Sequence, residues 1–98
     1  MLKSRKFPNI NTRRIDYLVK IYYYNGKKNL CGDKIREART KNRITQSDLA
    51  ARVQVAGVTL ERDSISRIEI GTRFVADYEL KIFAEVLGVS VEWLLSES

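Results

Sequence analysis

From Leu30 onward, apolar positions recur with the spacing of helices, interrupted at regular places by cap and turn residues. In "LCGDKIREARTKN", residues 30–42, Leu30, Ile35, Ala38 and Asn42 fall near one side with charge around the rest, which predicts a first helix. "RITQSDLAARV" then offers Thr45 as an N-cap with Asp48 three residues on, a capping-box arrangement in which Asp replaces the usual Glu or Gln. Ile44 is placed to contact Leu49 as a hydrophobic staple, and Leu49, Ala50 and Val53 keep the period, so a second helix is expected over about residues 46–55. "AGVTLER" interrupts it: Gly57 is a helix stop, and Val58, Thr59 and Leu60 suit an extended, packed loop. "DSISRIE" restarts the helix with Ile65 and Ile68 inward and Asp63, Ser64 and Arg67 outward, until Gly71. In "ADYELKIFAEVLG", Leu80, Phe83, Ala84 and Leu87 mark one core-facing stripe. Tyr78, Ile82 and Val86 form a second stripe away from it. Gly88 ends that helix, and Ser90 caps a last short one, "VEWLL", whose Trp93 and Leu94 should close the core.

The first 29 residues follow a different pattern. "IDYLVKIYYYNG" is rich in β-branched and aromatic residues and ends in the turn dipeptide Asn25-Gly26, which favours an extended strand or arm. Ile15, Leu18, Val19 and Tyr22 suit a helix equally, so periodicity does not decide. The expected organisation is a basic, Tyr-rich extension over 1–29 and an all-α domain over 30–98.

Composition narrows the chemistry. A chain of 98 residues fits one domain with a single modest core. It holds no apolar run near the roughly 20 residues that span a bilayer, and its basic start lacks the apolar segment of a secretory signal, so a cytoplasmic protein is expected. The lone Cys31 excludes an internal disulfide. With no histidine, the common zinc sites and the Ser–His and Cys–His nucleophile pairs are excluded as well. No enzyme, metal or cofactor is expected.

Charge is unevenly placed. Residues 1–29 carry eight basic residues against Asp16, residues 34–73 carry nine against five acids, and residues 74–98 carry Lys81 against five acids. A basic part beside an acidic part suits one face turned to a polyanion and another turned away.

The motif "TQSDLA…ISRIEIG" followed by "LGVSVEWLL" resembles the Cro/phage-repressor type of helix-turn-helix domain, the XRE family. Thr45, Gln46, Leu49, Ala50, Ile65, Ser66, Ile68, Glu69 and Gly71 match its pattern, and the resemblance covers about residues 30–96. It implies an all-α, five-helix, lambda-repressor-like fold, with a scaffold helix and a reading helix in "TQSDLAARVQVAGVTLERDSISRIEIG". One departure stands out. Leu49 and Ile65 lie sixteen positions apart, several more than is usual in the family, and the usual turn glycine is absent at Gln54. A longer loop or an extended scaffold helix must join the pair.

The resemblance also assigns roles. Gln46 matches a position that contacts phosphate and braces the reading helix; Arg62 and Arg67 match positions that face the groove, where an arginine can grip guanine bidentately. Arg73 matches a basic position that grips the DNA backbone. Arg39 and Glu69 match an arginine and a glutamate that pair across helices, a structural role shared with the cap Thr45. Asp63, repelled by phosphate, is expected to cap the reading helix or to accept from a cytosine amine. Ser64 suits a phosphate or base contact, and Lys41 and Arg43, in the loop before Thr45, suit phosphate contacts.

The expected function is therefore sequence-specific double-stranded DNA binding by a transcriptional regulator, a repressor, acting as a homodimer on a palindromic operator. Tyr78, Ile82, Val86, Trp93 and Leu95 are the dimer candidates, or a seat for the N-terminal arm. The alternative is a protein-interaction module, an antitoxin or antirepressor, on the same scaffold. For the extension, three readings stand: an arm packed on its own domain or a dimer mate, a stacking surface of Tyr17 and Tyr22–Tyr24 for single strands, or upstream sequence. In the last, Asn25–Lys28 can be encoded by purine-rich codons that resemble a ribosome-binding site, Leu30 can be encoded by a TTG initiation codon, and the natural product would begin there.

Overall fold

In a computed structural model that describes residues 25–97, five helices follow one another: α1 Gly32–Lys41, α2 Gln46–Val55, α3 Arg62–Ile70, α4 Asp77–Leu87 and α5 Val91–Leu94. Among the described residues there is no strand, so this part of the chain is all-α, and none of its helices is long and apolar enough to cross a membrane. The expectations for residues 1–24, a strand or arm with Tyr17 and Tyr22–Tyr24, lie outside the described residues. Asn25 and Gly26, the turn dipeptide, both have positive φ, +54° and +80°, as a tight Asn-Gly turn requires.

The core is one cluster drawn from every helix. Ile35 of α1, Leu49 and Val53 of α2, Ile65 and Ile68 of α3, Phe83 of α4 and Leu94 of α5 are fully enclosed. Packing pairs α2 with α3, α1 with α3, and α4 with α1, α2 and α5, so α3 is supported by two helices at once. That support is necessary, because a nine-residue helix is marginal alone. The sequence pattern is off by one residue at the start of α1: Cys31 is buried in place of Leu30, and Asn42 is exposed and donates from Nδ2 to Ala38 O, closing the helix. In α4, Leu80 is half-buried and its neighbour Glu79 is buried.

The capping signals act locally. Thr45 Oγ1 accepts from Asp48 N at 3.0 Å while Thr45 N donates to Asp48 Oδ2 at 3.2 Å, which starts α2. Ser90 Oγ accepts from Trp93 N at 3.0 Å and starts α5.

The lengthened join between α2 and α3 resolves into both of its alternatives. α2 runs to Val55, and residues 56–61 then form a connector. Gly57 N donates to Gln54 O and Val58 N to Val53 O, the paired bonds that close a helix end when the residue after the cap is left-handed. Gly57 takes φ +115°, which a side chain would resist. Leu60, 7% exposed, then returns the chain to the core just before α3. The extra residues are a looped-out excursion anchored by a buried leucine, and they leave α2 and α3 packed on each other.

Candidate nucleic-acid interface

α3 presents two faces. Ile65 and Ile68 are wholly buried, and Glu69 is buried beside them; Arg62, Asp63 and Arg67 are exposed, with Ser64 half-buried between. Arg67 makes no side-chain hydrogen bond or ion pair with the described residues. The face opposite the core therefore carries a guanidinium that makes no side-chain bond among the described residues.

The buried Glu69 organises the neighbourhood. Arg39 Nε donates to Glu69 Oε2 at 2.6 Å and Arg39 Nη2 to Glu69 Oε1 at 3.0 Å, a two-point grip between α1 and α3. Arg39 Nη1 also donates to Ile44 O at 2.9 Å, fixing the loop ahead of α2. The hydrogen bond to Glu69 raises the Arg39 pKa above its usual value against the opposing effect of burial. Gln46, the first residue of α2, donates from Nε2 to Glu69 Oε1 at 3.0 Å and accepts from Arg62 Nη1 at 3.1 Å. Arg62 in turn pairs with Asp63 at 3.2 Å. One connected chain of polar groups thus runs from α1 through α3 and α2 back to the start of α3.

Asp63 does not cap α3. The helix begins two residues earlier than that expectation required: Glu61 is the N-cap, with no side-chain cap bond, and Asp63 sits inside the first turn, where its charge favours the positive end of the helix. Its carboxylate is turned to Arg62, 70% exposed.

Arg73 lies just beyond α3, and the structure directs its guanidinium inward. Nη1 donates to Glu79 Oε1 at 3.0 Å and to Phe74 O at 2.9 Å, and Nη2 donates to Glu79 Oε2 at 3.1 Å. Glu79 also accepts from Ala76 N at 3.0 Å, tying the loop to the start of α4. Burial alone would raise the Glu79 pKa, but the Arg73 guanidinium and the Ala76 N–H hold it below the usual carboxylate value. Arg73 is thus committed to an ion pair within the domain, with only its Nε–H and one Nη2–H left over.

Lys41 and Arg43 are exposed on either side of Asn42, ahead of α2. Arg43 takes φ +58°, a left-handed conformation that costs a residue other than glycine about 1 kcal/mol. The dimer candidates do not form one stripe. Ile82, Val86 and Trp93 are half-buried against the core, because α4 and α5 lie on α1 and cover that side; Tyr78, 61% exposed, and Leu95, 42% exposed, remain on the surface. Lys34 Nζ sits 4.7 Å from the Trp93 ring centroid, covering the indole further. Cys31 is buried, and burial pushes its thiol up to about 11, so it stays protonated and unreactive at neutral pH.

Three residues of this region carry no signal in the sequence pattern. Glu79 reads as a surface residue of an amphipathic helix, Gly32 as an ordinary helix opener, and Asn29 as the end of the extension. Only the fold shows each of them inside the polar framework behind α3.

No curated protein proves similar enough to the chain to serve as a relative. The family model described as Helix-turn-helix matches residues 35–94, more than half of the chain and the span from α1 to α5. With α2 and α3 packed as scaffold and reading helix on one core, the chain belongs to the helix-turn-helix family, as a Cro/repressor-type DNA-binding domain.

Proposed function

We propose that this protein is a sequence-specific double-stranded DNA-binding transcriptional regulator, a repressor that occludes a promoter, acting in the cytoplasm as a homodimer on a palindromic operator. The observation that carries this reading is the exposed Arg67, without a side-chain bond among the described residues, on the face of α3 opposite the buried Ile65 and Ile68. A B-form major groove about 12 Å wide admits one α-helix, and an arginine there can bind guanine O6 and N7 together. Arg62 and Ser64 stand at the leading end of the same helix, with Asp63 beside them to accept from a base amine or to hold Arg62. Gln46 braces that end and remains close to where a phosphate would pass. Lys41 and Arg43 flank the site as phosphate contacts, and Arg73 supports the loop after α3, with its remaining N–H groups available to the backbone.

Two copies joined through the exposed Tyr78 and Leu95 and the outer edges of Ile82, Val86 and Trp93 would read half-sites about one helical turn, roughly 34 Å, apart. The test is selection of bound duplexes from a random pool, followed by gel shift at rising salt. Enrichment of a two-fold symmetric sequence whose affinity falls steeply with salt is expected. Failure to retain any duplex at low ionic strength, together with capture of a protein partner in the absence of DNA, would establish the antitoxin or antirepressor alternative instead.

A further inference from the structure

Groups that precede or open α1 converge on the last turn of α3. Lys28 N donates to Gly71 O at 2.8 Å. Asn29 uses its whole amide: Nδ2 donates to Ile68 O at 3.0 Å and to Arg73 O at 2.8 Å, while Oδ1 accepts from Gly32 N at 2.7 Å. Gly32 permits this closeness, since a Cβ there would lie 2.1 Å from Ile68 O. These bonds cross the domain boundary expected after residue 29.

The last carbonyls of a helix have no partner within it and must be satisfied from elsewhere. In α3 the Ile68 carbonyl, which follows Arg67 directly, accepts from the C-cap Gly71 N at 3.1 Å and takes its second donor, from outside the helix end, from Asn29. The same amide nitrogen holds the carbonyl of Arg73 in the loop that follows. Asn29 therefore ties the end of α3, the next loop and the start of α1 to a single side chain.

We infer that Asn29 is a positioning residue for DNA reading, which fixes the far end of α3 and the Arg73 loop so that Arg67 meets base edges in one geometry. The inference rests on the DNA-reading role proposed above. Base-edge hydrogen bonds demand placement within about 0.5 Å, and a supporting shell provides it. Phosphate attraction depends on charge and tolerates far more displacement. Loosening α3 at this end therefore removes discrimination between sequences before it removes non-specific binding.

The experiment compares wild type, Asn29→Ala, Asn29→Asp and Ala84→Gly. For each, affinity is measured for duplexes selected by the wild type and for shuffled duplexes of the same composition, beside amide exchange at Gly71 and Thr72. Asn29→Asp keeps the acceptor for Gly32 N–H but loses both donors, so it separates the clamp on α3 from the opening of α1. Ala84→Gly loosens α4 and controls for a general loss of stability. Both Asn29 variants should lower the selected-to-shuffled ratio about tenfold, with faster exchange at Gly71 and Thr72 and an unchanged salt slope; Ala84→Gly should leave the ratio alone. A wild type with clear preference and an Asn29→Asp protein with the same preference would overturn the inference while leaving the DNA-reading role intact. An equal loss in Ala84→Gly would also overturn it. A wild type with no preference among duplexes would remove the DNA-reading role itself, and the inference with it.

Discussion

Gln46 Nε2 lies 3.0 Å from Glu69 Oε1, so the first residue of the scaffold helix is bonded to a buried carboxylate near the far end of the reading helix. The same oxygen receives Arg39 Nη2 at 3.0 Å. One carboxylate thereby sets the relation of three helices, and its charge is matched inside the fold by one guanidinium. Removing either partner strands the other's charge, whereas removing both leaves no charge unpaired and takes one neutral hydrogen-bond partner each from Gln46 and the Ile44 carbonyl.

Glu69→Gln should therefore cost about 3 kcal/mol in urea unfolding, because it leaves the half-buried Arg39 without its counter-ion. Arg39→Met should cost a similar amount by stranding Glu69. The double variant Arg39→Met with Glu69→Met should be markedly more stable than the sum of the single losses predicts. Strict additivity in this cycle would mean that the pair is not coupled.

Gly32→Ala tests the close approach of α1 to α3. A Cβ 2.1 Å from Ile68 O cannot be relieved by a flexible side chain, since the atom it meets is backbone. Overpacking of this kind costs about 1–3 kcal/mol. The expected result is a lowered urea midpoint with an unchanged slope. A midpoint equal to wild type would show that α1 can shift away from α3 freely.

Much of this framework is legible in the residues themselves. Thr45 and Asp48 announce the start of α2 because a capping box is made of local contacts, and Ile65 with Ile68 announces the buried face of α3 because helical periodicity is local too. Asp63 misleads because the choice of cap depends on where the helix begins, and the return of Leu60 to the core moves that point to Glu61. The apparent stripe of Ile82 and Val86 looks exposed only when α4 is drawn alone; its burial comes from neighbours distant in sequence. Asn29 is out of reach for the same reason, and Glu79 because Ala76, in the N-cap position before it, is not a residue that signals a cap. Asn29's partner Ile68 lies 39 residues away, while Glu79 is held by Arg73 six residues back and Ala76 N three residues back; an Asn or Glu of this kind has no residue-type pattern that separates it from a solvated one.

Arg73→Ala should act first on stability. Glu79, buried and held by Arg73 and Ala76 N–H, would lose its charged partner, at a cost of roughly 1–3 kcal/mol. The loop from Thr72 to Ala76 should then loosen, detectable as faster amide exchange at Ala76. Arg73→Lys should recover only part of the loss, since an ammonium cannot reproduce the two-point grip. Full recovery by lysine would show that charge alone matters at this site.

The acid limb of stability has two named contributors. Asp48 sits below its usual carboxylate value because Thr45 N–H and the Thr45 hydroxyl bond to it, and Glu79 sits below its own because Arg73 and Ala76 outweigh burial. A carboxylate whose folded pKa is depressed contributes stability that is complete above its unfolded pKa and is lost as pH falls through the folded one. Stability should therefore be flat with respect to these groups near neutrality and decline below about pH 4. Asp48→Asn and Glu79→Gln should each start from lower stability at pH 7 and show a shallower decline toward pH 3. A steeper decline in either variant would contradict the assigned direction.

The division of labour across the interface gives the most direct test of the proposed function. Arg67→Ala removes an exposed side chain that makes no bond among the described residues, so stability should stay within about 0.5 kcal/mol, the size of effect expected of an exposed substitution. Affinity for the selected duplex should fall by about 1–3 kcal/mol relative to a shuffled one, because a bidentate contact to a base edge carries information as well as attraction. Lys41→Ala and Arg43→Ala should instead weaken both duplexes alike and lower the salt slope by about one each, the signature of a lost phosphate contact. Gel shifts over a salt series on both duplexes separate the two patterns. Should Arg67→Ala weaken both equally while Lys41→Ala or Arg43→Ala relaxes the sequence preference, the reading face would have to be sought at the loop ahead of α2 and not on α3.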